Sequence, residues 1–230
     1  MKISVVIPAY NEERTIGEII RRVKAVNLNK EIIVIDDAST DETGRILDRI
    51  SRENDPANPV RVIRHLRNHG KGAAIRSGLK EASGDIVIIQ DADLEYDPRD
   101  YHRLVQPIID EKTSVVYGSR CLKKNRISSP GFFLGGKLLS FLANFLYRAN
   151  ITDEPTCYKV FRREVLRNLD LKCRRFEFCP EVTAKVRKRG YKIYEVPISY
   201  YPRKIKEGKK IRFSDGLAAI WTLIKYRFKD

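Results

Sequence analysis

The segment that most constrains this chain is a short apolar run that ends abruptly in carboxylates. The run Ile86–Ile89 is β-branched and does not alternate with polar residues, which is typical of a strand buried on both faces of a parallel sheet. Unpaired carboxylates are too costly to bury in such a sheet, so we expect Asp91 and Asp93 at the carboxyl end of the strand. Open α/β sheets bind their ligands at that end.

The carboxylates after this strand have the spacing of metal ligands. In an extended chain the side chains at i and i+2 point to the same side, so Asp91, Asp93 and Glu95 are expected to converge on one point. Three oxygen ligands, with room left for water and phosphate oxygens, suit Mg²⁺ or Mn²⁺. Like charges this close repel one another without a cation, which favours a metal site over a polar turn.

Three further β-branched runs precede this one and alternate with helical segments. Strands are predicted at Ile3–Ile7, Glu31–Ile35, Val60–Arg64 and Ile86–Ile89, and helices at Thr15–Val26, Thr43–Ser51 and Ala73–Ala82. This order predicts the α/β class, as a Rossmann-like three-layer sandwich with a mostly parallel central sheet. Polar groups at 8–12, 36–37 and 91–95 follow three of the strands, so we expect them to share one crevice.

The second half of the chain is less regular. Strands are predicted at Ser114–Tyr117, Lys159–Phe161 and Lys192–Val196, and helices at Pro98–Glu111, Gly131–Arg148, Arg163–Asn168, Phe178–Arg189 and Ser214–Phe228. Apolar residues cover more than a narrow stripe of the helix at 131–148, which indicates a core or membrane-interface helix. The ten residues 203–212 hold six basic side chains against one Glu.

The net charge of +15 narrows the partners of the chain. Such a charge attracts polyanions, namely nucleic acid, anionic lipid headgroups or phosphorylated substrates, without choosing among them. The four cysteines have no Cys-x-x-Cys spacing, which favours free thiols in a reducing cytosol. We expect no signal peptide, because Met1 and Lys2 run directly into a strand, and no transmembrane span, because no apolar run reaches the ~20 residues that a span needs.

With these elements placed, the sequence resembles the family-two glycosyltransferases of the GT-A fold. Within that family it is most similar to the dolichol-phosphate mannose synthase and related polyprenyl-phosphate glycosyltransferase group. The resemblance rests on Val6–Glu12, Asp36–Asp41, Gly70–Gly72, Asp91–Leu94, Gly118–Arg120, Asp153–Arg163 and Pro197–Tyr200. It implies a GT-A domain over 1–212, with a nucleotide-sugar-binding half (1–97) and an acceptor-side half (98–212). An amphipathic helix over 213–230 would follow, as a C-terminal interface helix.

The resemblance also implies roles for particular residues. Those implied to bind a nucleotide diphosphate sugar, of the GDP-mannose or UDP-glucose type, are Pro8, Ala9, Tyr10, Glu12, Ile35, Asp37, Lys71, Asp91, Ala92, Asp93, Arg120, Arg203 and Lys209. The implied catalytic residues are Asp93, Arg120 and Arg203. Asp91, Asp93 and Glu95 would hold Mg²⁺ or Mn²⁺, although family members commonly carry Gln where this chain has Glu95.

The implied reaction is metal-dependent transfer of mannose or glucose, with inversion, to a polyprenyl phosphate of the dolichyl type. A lipid monophosphate is already ionised near neutral pH, whereas a hydroxyl acceptor needs a general base. Glu177 and Glu181 stand where relatives that act on hydroxyls carry an Asp base. A hydroxyl acceptor on a glycan, a glycolipid or a small molecule therefore stays open, although we expect both residues to frame the acceptor mouth.

The implied location is the cytoplasmic face of a membrane, and a separate membrane-anchoring subunit is left open. A basic nucleic-acid-binding protein is the alternative from another class. It is disfavoured because the basic residues follow no RNA-binding or helix-turn-helix pattern, and because the acidic strand ends would repel phosphate. A nicotinamide-linked dehydrogenase is disfavoured because Pro8–Glu12 replaces the glycine-rich turn of that fold.

Overall fold

The structure is a computed structural model that describes residues 1–53, 55–56, 58–127, 129–203 and 210–229. Within these residues the strands are β1 (Ile3–Ala9), β2 (Lys30–Asp36), β3 (Val60–Arg64), β4 (Ile86–Ile89), β5 (Val115–Ser119), β6 (Lys159–Arg162) and β7 (Tyr194–Pro197). The helices are α1 (Ile16–Ala25), α2 (Thr43–Arg52), α3 (Lys71–Glu81), α4 (Tyr101–Ile109), α5 (Pro130–Tyr147), α6 (Arg163–Arg167), α7 (Phe178–Lys188) and α8 (Phe213–Phe228). A short 3₁₀ helix, Pro98–Asp100, precedes α4.

The strands form one sheet in the order β3-β2-β1-β4-β6-β5-β7. β6 runs antiparallel to its neighbours β4 and β5, and the other adjacent pairs are parallel. The predicted α/β class with a mostly parallel sheet is therefore confirmed. The reversed direction of β6 was not predicted, because the apolar pattern of a strand is the same in either direction.

The winding of the sheet places a ligand crevice beside β1. β2 and β4 lie on opposite sides of β1, so the chain changes its direction of winding between β1 and β4. Because crossovers between parallel strands are right-handed, α1 and α2 cover one face and α3 covers the other. Such a switch point is where open α/β sheets bind ligands, just beyond the carboxyl ends of the strands.

β1 is longer than the sequence predicted, because it continues through Pro8 to Ala9. Proline lacks the N–H that a ladder needs and normally ends a central strand. Here the ladder between β1 and β4 stops at Val6 and Ile89, while β2 still pairs with β1 as far as Ala9. The missing N–H of Pro8 therefore faces the side on which β4 has already ended, and the strand continues into the crevice.

Burial explains why the apolar run of β4 does not alternate. All four of its residues are buried, as a strand covered by helices on both faces requires. At the other end of the chain, α8 packs against α5 and α7. The Tyr147 hydroxyl of α5 donates to the carbonyl of Leu223 in α8 at 2.5 Å. In the described ranges, no helix has the length and apolarity needed to cross a bilayer.

Candidate active site

The turn that follows β4 is fixed by the buried side chain of Gln90. Its Oε1 accepts hydrogen bonds from the hydroxyls of Tyr101 and Tyr158, both at 2.8 Å, and its Nε2 donates to the carbonyl of Asp91 at 3.0 Å. Gln90 and both tyrosines are fully buried. These bonds hold the backbone at the point where Asp91 leaves the sheet, which is the position that the sequence predicts.

Asp91 faces the first turn of α3. Its Oδ1 lies 2.5 Å from Nζ of Lys71, and Lys71 also lies over the ring of Phe176, 5.9 Å from the ring centroid. The sequence predicted a start at Ala73, but α3 begins at Lys71, directly after Gly70. Gly70 has a φ of 91°, a conformation that favours glycine. The earlier start makes Lys71 part of the helix and brings it to β4.

The glycines beside Lys71 are required by a close approach of two backbones. A Cβ on Gly72 would lie 2.7 Å from the carbonyl oxygen of Cys173, and one on Gly70 would lie 2.7 Å from that of Arg174. A side chain at either position would force these segments apart. The Gly-Lys-Gly sequence therefore holds Lys71 between β4 and the segment at 173–175.

Asp93 is paired with an arginine from the far end of the chain. Nη2 of Arg203 lies 3.0 Å from Oδ2 of Asp93, and Nη1 lies 3.1 Å from Oε2 of Glu12. Nζ of Lys210 lies 2.7 Å from Oε1 of the same Glu12. Two basic residues of the C-terminal region therefore bind the carboxylates that follow β1 and β4. Lys209, predicted to contact the donor, lies outside the described residues.

Glu95 does not continue the extended geometry that the sequence prediction assumed. Leu94 has a φ of 63°, and the Glu95 N–H donates to Oδ1 of Asp93 at 3.1 Å, so the chain turns here. The Glu95 carboxylate is buried and accepts hydrogen bonds from the Tyr200 hydroxyl at 2.7 Å and the Arg203 N–H at 2.8 Å. Glu95 thus fixes the segment that carries Arg203.

The surroundings of Asp93 disfavour the charged form of its carboxyl. Burial raises the pKa of its carboxyl, repulsion from Asp91 and Glu95 raises it further, and Arg203 lowers it, for a pKa of about 7. In the part of the chain that the structure describes, no group of three or more His, Cys, Asp or Glu side chains could hold a metal ion. The expected convergence of three carboxylates is therefore not seen, and their role as metal ligands stays a prediction.

Arg120, at the end of β5, is held by a carboxylate from the loop after α5. Its Nη2 lies 2.7 Å from Oδ1 of Asp153, and both its backbone N–H and its Nε donate to Oδ2 at 2.8 Å. The guanidinium also lies over the ring of Tyr200, 5.0 Å from the centroid. Arg120 is thus fixed beside the residue that binds Glu95, at the same edge of the sheet.

Asp37, at the end of β2, is bound by the loop that precedes α3. Its Oδ1 accepts from Nδ1 of His65 and the His69 N–H, and its Oδ2 accepts from the Gly70 N–H at 2.7 Å. Asp37 is buried, and its Oδ2 accepts one of these three bonds, so its predicted contact with a base or ribose stays a prediction. Ile35 is fully buried against α3, beside Gly78, and lies beneath the crevice.

The remaining predicted residues lie along the ends of β1 and β4. Ala9 and Ala92 are buried, whereas Pro8 and Tyr10 are partly exposed. The carbonyl of Tyr10 accepts a hydrogen bond from Lys210, whose Nζ lies 5.7 Å from the tyrosine ring centroid. These residues border the crevice, and their contacts with a nucleotide sugar stay predictions.

Four residues of this site had no role in the sequence prediction: Asp153, Tyr200, Lys210 and His65. Asp153 and Tyr200 lie inside segments on which the family resemblance rests, but the resemblance implied no role for either residue. Lys210 was one of six basic residues in 203–212, and nothing in the sequence distinguished it. His65 follows β3 directly, and its pairing with Asp37 depends on how β2 and β3 align.

The two glutamates considered as general bases differ in environment. Glu181 is fully buried, and its carboxylate accepts from the N–H groups of Lys172 and Cys173, from Nζ of Lys185 and from the hydroxyl of Tyr226. Burial raises the pKa of this carboxyl, but the hydrogen bonds outweigh burial and lower it. Glu181 thus joins α7 to α8 and to the loop that precedes α7, whereas Glu177 is partly exposed.

Comparison with known proteins finds a family model and several relatives that this chain is similar to. The family model described as glycosyl transferase family 2 matches residues 4–170. A dolichol-phosphate mannosyltransferase of Pyrococcus furiosus is 32% identical over 91% of this chain, which spans 59% of that protein. A UDP-N-acetylglucosamine–dolichyl-phosphate N-acetylglucosaminyltransferase of Methanococcus voltae is also 32% identical, over 85% of this chain and 84% of its own length.

The fold is shared with a solved enzyme structure. Glucosyl-3-phosphoglycerate synthase of Mycobacterium tuberculosis, crystallised with Mn²⁺, UDP and glucosyl-3-phosphoglycerate, superposes with a TM-score of 0.75. The two proteins are 23% identical, and the match covers 98% of this chain and 79% of that one. At this identity the likeness is one of fold.

Proposed function

This chain belongs to glycosyl transferase family 2, and on that premise we propose that it transfers mannose or glucose from a nucleotide diphosphate sugar to a polyprenyl phosphate. Two relatives above 30% identity are named for transfer to dolichol phosphate or dolichyl phosphate. A third, from Salmonella paratyphi A, is named for transfer of an aminoarabinose derivative to undecaprenyl phosphate, at 32% identity. The names differ in sugar and agree on a polyprenyl phosphate acceptor.

The donor would lie across the carboxyl ends of β1, β2 and β4. Pro8, Tyr10 and Asp37 border the part of the crevice where we place the base and the ribose. A carboxylate suits that task because it accepts hydrogen bonds from ring N–H groups and from ribose hydroxyls. The diphosphate would then lie toward Asp91 and Asp93, beside Lys71 and Arg203.

The residues present fit a divalent cation at Asp91 and Asp93. Both carboxylates are partly exposed at one strand end, and each has a basic group, Lys71 or Arg203, at an oxygen that a cation would bind. Carboxylate oxygens are ligands that Mg²⁺ and Mn²⁺ prefer. When bound, the ion supplies a Lewis acid that stabilises charge on the leaving nucleoside diphosphate.

The basic residues of the crevice would change partners when substrates bind. Lys71 and Arg203 now neutralise Asp91 and Asp93, and Arg120 neutralises Asp153. Nε of Arg203 is buried and has no hydrogen-bond partner among the described residues, so one donor is available to a phosphate oxygen. Guanidinium groups bind phosphate in a bidentate manner, which suits Arg120 and Arg203 to the donor and acceptor phosphates.

The observation that carries the lipid acceptor is an apolar stripe repeated on two adjoining helices. On α5 the exposed apolar side chains include Leu134, Leu138, Phe141 and Phe145, and on α8 they include Leu217, Trp221, Ile224 and Phe228. Both sets follow the spacing i, i+4, i+7 and i+11, so each forms one face of its helix. We name these eight side chains the apolar stripe.

A membrane surface explains why the apolar stripe is exposed. Amphipathic helices that lie in a membrane interface present one apolar face, and basic residues favour anionic lipid. α8 carries Lys225 and Arg227 in its last turn. α5 also packs on the loop that holds Arg120, because the Glu154 N–H donates to Oγ of Ser140 at 2.9 Å. We therefore place the stripe on the cytoplasmic face of a membrane, next to the acceptor phosphate.

The proposed reaction is a single in-line displacement. An oxygen of the lipid phosphate attacks the anomeric carbon, the bond from that carbon to the nucleoside diphosphate breaks, and the configuration inverts. The attacking oxygen is already ionised near neutral pH, so no protein base is required. The engagement of Glu181 by four donors is consistent with a reaction that does not use it as a base.

A panel of nucleotide sugars offered with a short-chain polyprenyl phosphate tests this function, with lipid-linked sugar as the readout. We expect product with a GDP-mannose or UDP-glucose type of donor, only when Mg²⁺ or Mn²⁺ is present. Asp93→Ala should abolish turnover while retaining the circular dichroism spectrum of the parent. Arg49→Ala, an exposed change on α2, is the matched control and should keep full activity.

The acceptor assignment has its own control. The corresponding polyprenol without phosphate should give no product, because it lacks an ionised nucleophile. Transfer to that alcohol or to a glycan, with loss of activity in Glu177→Gln, would overturn the proposal that the acceptor is a lipid phosphate. It would support a hydroxyl acceptor. Full activity in Asp93→Ala would overturn the proposed mechanism.

A further inference from the structure

A second basic site adjoins the crevice, in a cleft of about 580 Å³ over α3. It is lined by α3, by α6 and by the segment that follows α6, with the loop after β3 at one end. Its basic residues are Arg76, Lys80, Arg163, Arg167 and Arg174, and His65 and His69 also line it. None of the residues predicted to bind a nucleotide sugar lines this cleft.

Within the described residues, no carboxylate pairs with the five Lys and Arg side chains of the cleft. The one acidic residue of the lining, Asp170, is itself paired with Lys172 at 2.9 Å. In the crevice, by contrast, Lys71 and Arg203 are each paired with a carboxylate.

One donor of the cleft is buried without a partner. Nη1 of Arg76 donates to the carbonyl of Leu171 at 3.0 Å, which fixes the guanidinium in the wall. Nε of the same residue is buried and has no hydrogen-bond partner among the described residues. A buried N–H without an acceptor is costly, and a small shift of this guanidinium toward an anion in the cleft would satisfy it.

We propose that this cleft binds a small soluble anion that carries two or more linked phosphate groups. Its volume falls within the range of about 300–1000 Å³ that is usual for small-molecule sites. Four of its five basic groups are guanidinium groups, which match phosphate geometry. Five cations around one concavity repel one another, and a multiply charged anion relieves that repulsion. The inference does not depend on the proposed sugar transfer.

Occupation of the cleft would be felt at the donor pocket. His65 lines the cleft, its Nδ1 lies 2.6 Å from Oδ1 of Asp37, and its Nε2 lies 2.8 Å from Oγ of Ser77. His69 lines the cleft as well, and its N–H donates to the same Asp37 oxygen at 2.9 Å. The two sites therefore share one wall.

Calorimetric titration with inorganic pyrophosphate, in buffer without divalent cations, tests the proposal. The test variant is Lys80→Ala with Arg167→Ala, because both side chains are exposed and make no hydrogen bond or ion pair within the described residues. The matched control is Arg49→Ala with Arg52→Ala, which removes the same charge from exposed positions of α2. A third protein, Arg203→Ala, changes the crevice.

We expect the test variant to raise the Kd for pyrophosphate by about tenfold or more. The control pair and Arg203→Ala should each change it by less than about threefold. An equal loss of pyrophosphate affinity in the control pair would show that the effect depends only on net charge. A loss confined to Arg203→Ala would show that pyrophosphate binds in the crevice. Either result overturns the proposal, as does the absence of pyrophosphate binding to the parent protein.

A nucleic-acid titration completes the experiment. Mixed-sequence duplex DNA should bind the parent protein more weakly than pyrophosphate does, and its binding should not depend on Lys80 and Arg167. Tighter binding of DNA that is lost in the test variant would overturn the small-anion assignment and make the cleft a nucleic-acid surface.

Discussion

The guanidinium of Arg203 lies 3.0 Å from the carboxylate of Asp93, although 110 positions separate the two residues along the chain. The contact joins the turn after β4 to the segment that follows β7. The same guanidinium binds Glu12 beyond β1, so a single side chain connects two of the polar strand ends. Arg203 is thus placed to respond to any ligand that enters the crevice.

We predict that Arg203→Ala lowers kcat/KM for sugar transfer by about 100-fold or more, because a fixed donor to the developing charge is lost. Arg203→Lys should recover part of this loss, since it restores charge without the bidentate fork. Steady-state kinetics against donor concentration measure both variants, with Arg49→Ala as the control. Activity of Arg203→Ala equal to that of the control would remove Arg203 from the mechanism.

The second prediction distinguishes two roles for Glu95, namely positioning Arg203 and binding the metal. Its carboxylate accepts from the Tyr200 hydroxyl and the Arg203 N–H, so its main task is to position Arg203. Tyr200→Phe and Glu95→Gln should therefore lower activity to similar extents. Neither should change the metal concentration for half-maximal activity by more than about threefold, whereas Asp93→Asn should change it far more. A tenfold change in Glu95→Gln alone would make Glu95 a ligand.

The fold was largely predictable because its strands are short and buried on both faces. The four residues Ile86–Ile89 were placed without error, since a short β-branched run that does not alternate is typical of a strand covered on both sides. The end of β1 was misplaced. Pro8 is tolerated there because β4 ends before it, and the local sequence of β1 does not show where β4 ends. The direction of β6 could not be predicted, because burial leaves the same pattern in both directions.

The site was predictable in position and less so in contacts. Asp91 and Asp93 follow β4 as expected, because charge cannot remain inside the sheet. Glu95 does not converge with Asp91 and Asp93, because Leu94 adopts a left-handed conformation. The sequence prediction assumed an extended chain at this point. The pairing of Arg120 with Asp153 depends on a loop that returns to β5 after α5, and sequence spacing carries no such information.

Acid should destabilise the protein in part through Glu31. Its carboxylate accepts from the hydroxyl of Ser4 at 2.6 Å, from Nζ of Lys2 at 2.9 Å and from the Ser83 N–H at 2.7 Å. Burial raises the pKa of this carboxyl, but the bonds outweigh burial and lower the pKa from 4.5 to about 2. Because the pKa is lower in the folded state, the stabilisation is complete above pH 4.5 and is lost as the pH falls toward 2.

Glu31→Gln should therefore reduce the free energy of unfolding at neutral pH by on the order of 2 kcal/mol. The difference from the parent should shrink as the pH falls below 4.5. Urea unfolding across this range measures it, with Glu164→Gln, an exposed residue on α6, as the control. A difference that does not depend on pH would show that lost packing, rather than the carboxylate, is responsible.

The buried carboxylate of Glu181 predicts that α8 contributes to stability. The hydroxyl of Tyr226 donates to Oε1 of Glu181 at 2.8 Å and thereby joins α8 to α7. Tyr226→Phe should lower the free energy of unfolding by about 1–2 kcal/mol, because a buried charged acceptor loses a donor. Tyr194→Phe, at a half-exposed tyrosine, should change it little. Equal effects of the two changes in urea unfolding would contradict the anchoring role.

The last prediction concerns the apolar stripe and the membrane. Phe145 and Trp221 are 74% and 64% exposed, so replacing both with Ser should leave the fold intact. If the stripe enters a bilayer interface, the pair should lower the partition coefficient onto vesicles containing anionic lipid by about tenfold or more. Leu66→Ser with Ile109→Ser removes exposed apolar groups outside α5 and α8 and should leave binding unchanged. Vesicle flotation measures all three proteins, and equal losses in the two double variants would mean that the stripe is not the membrane contact.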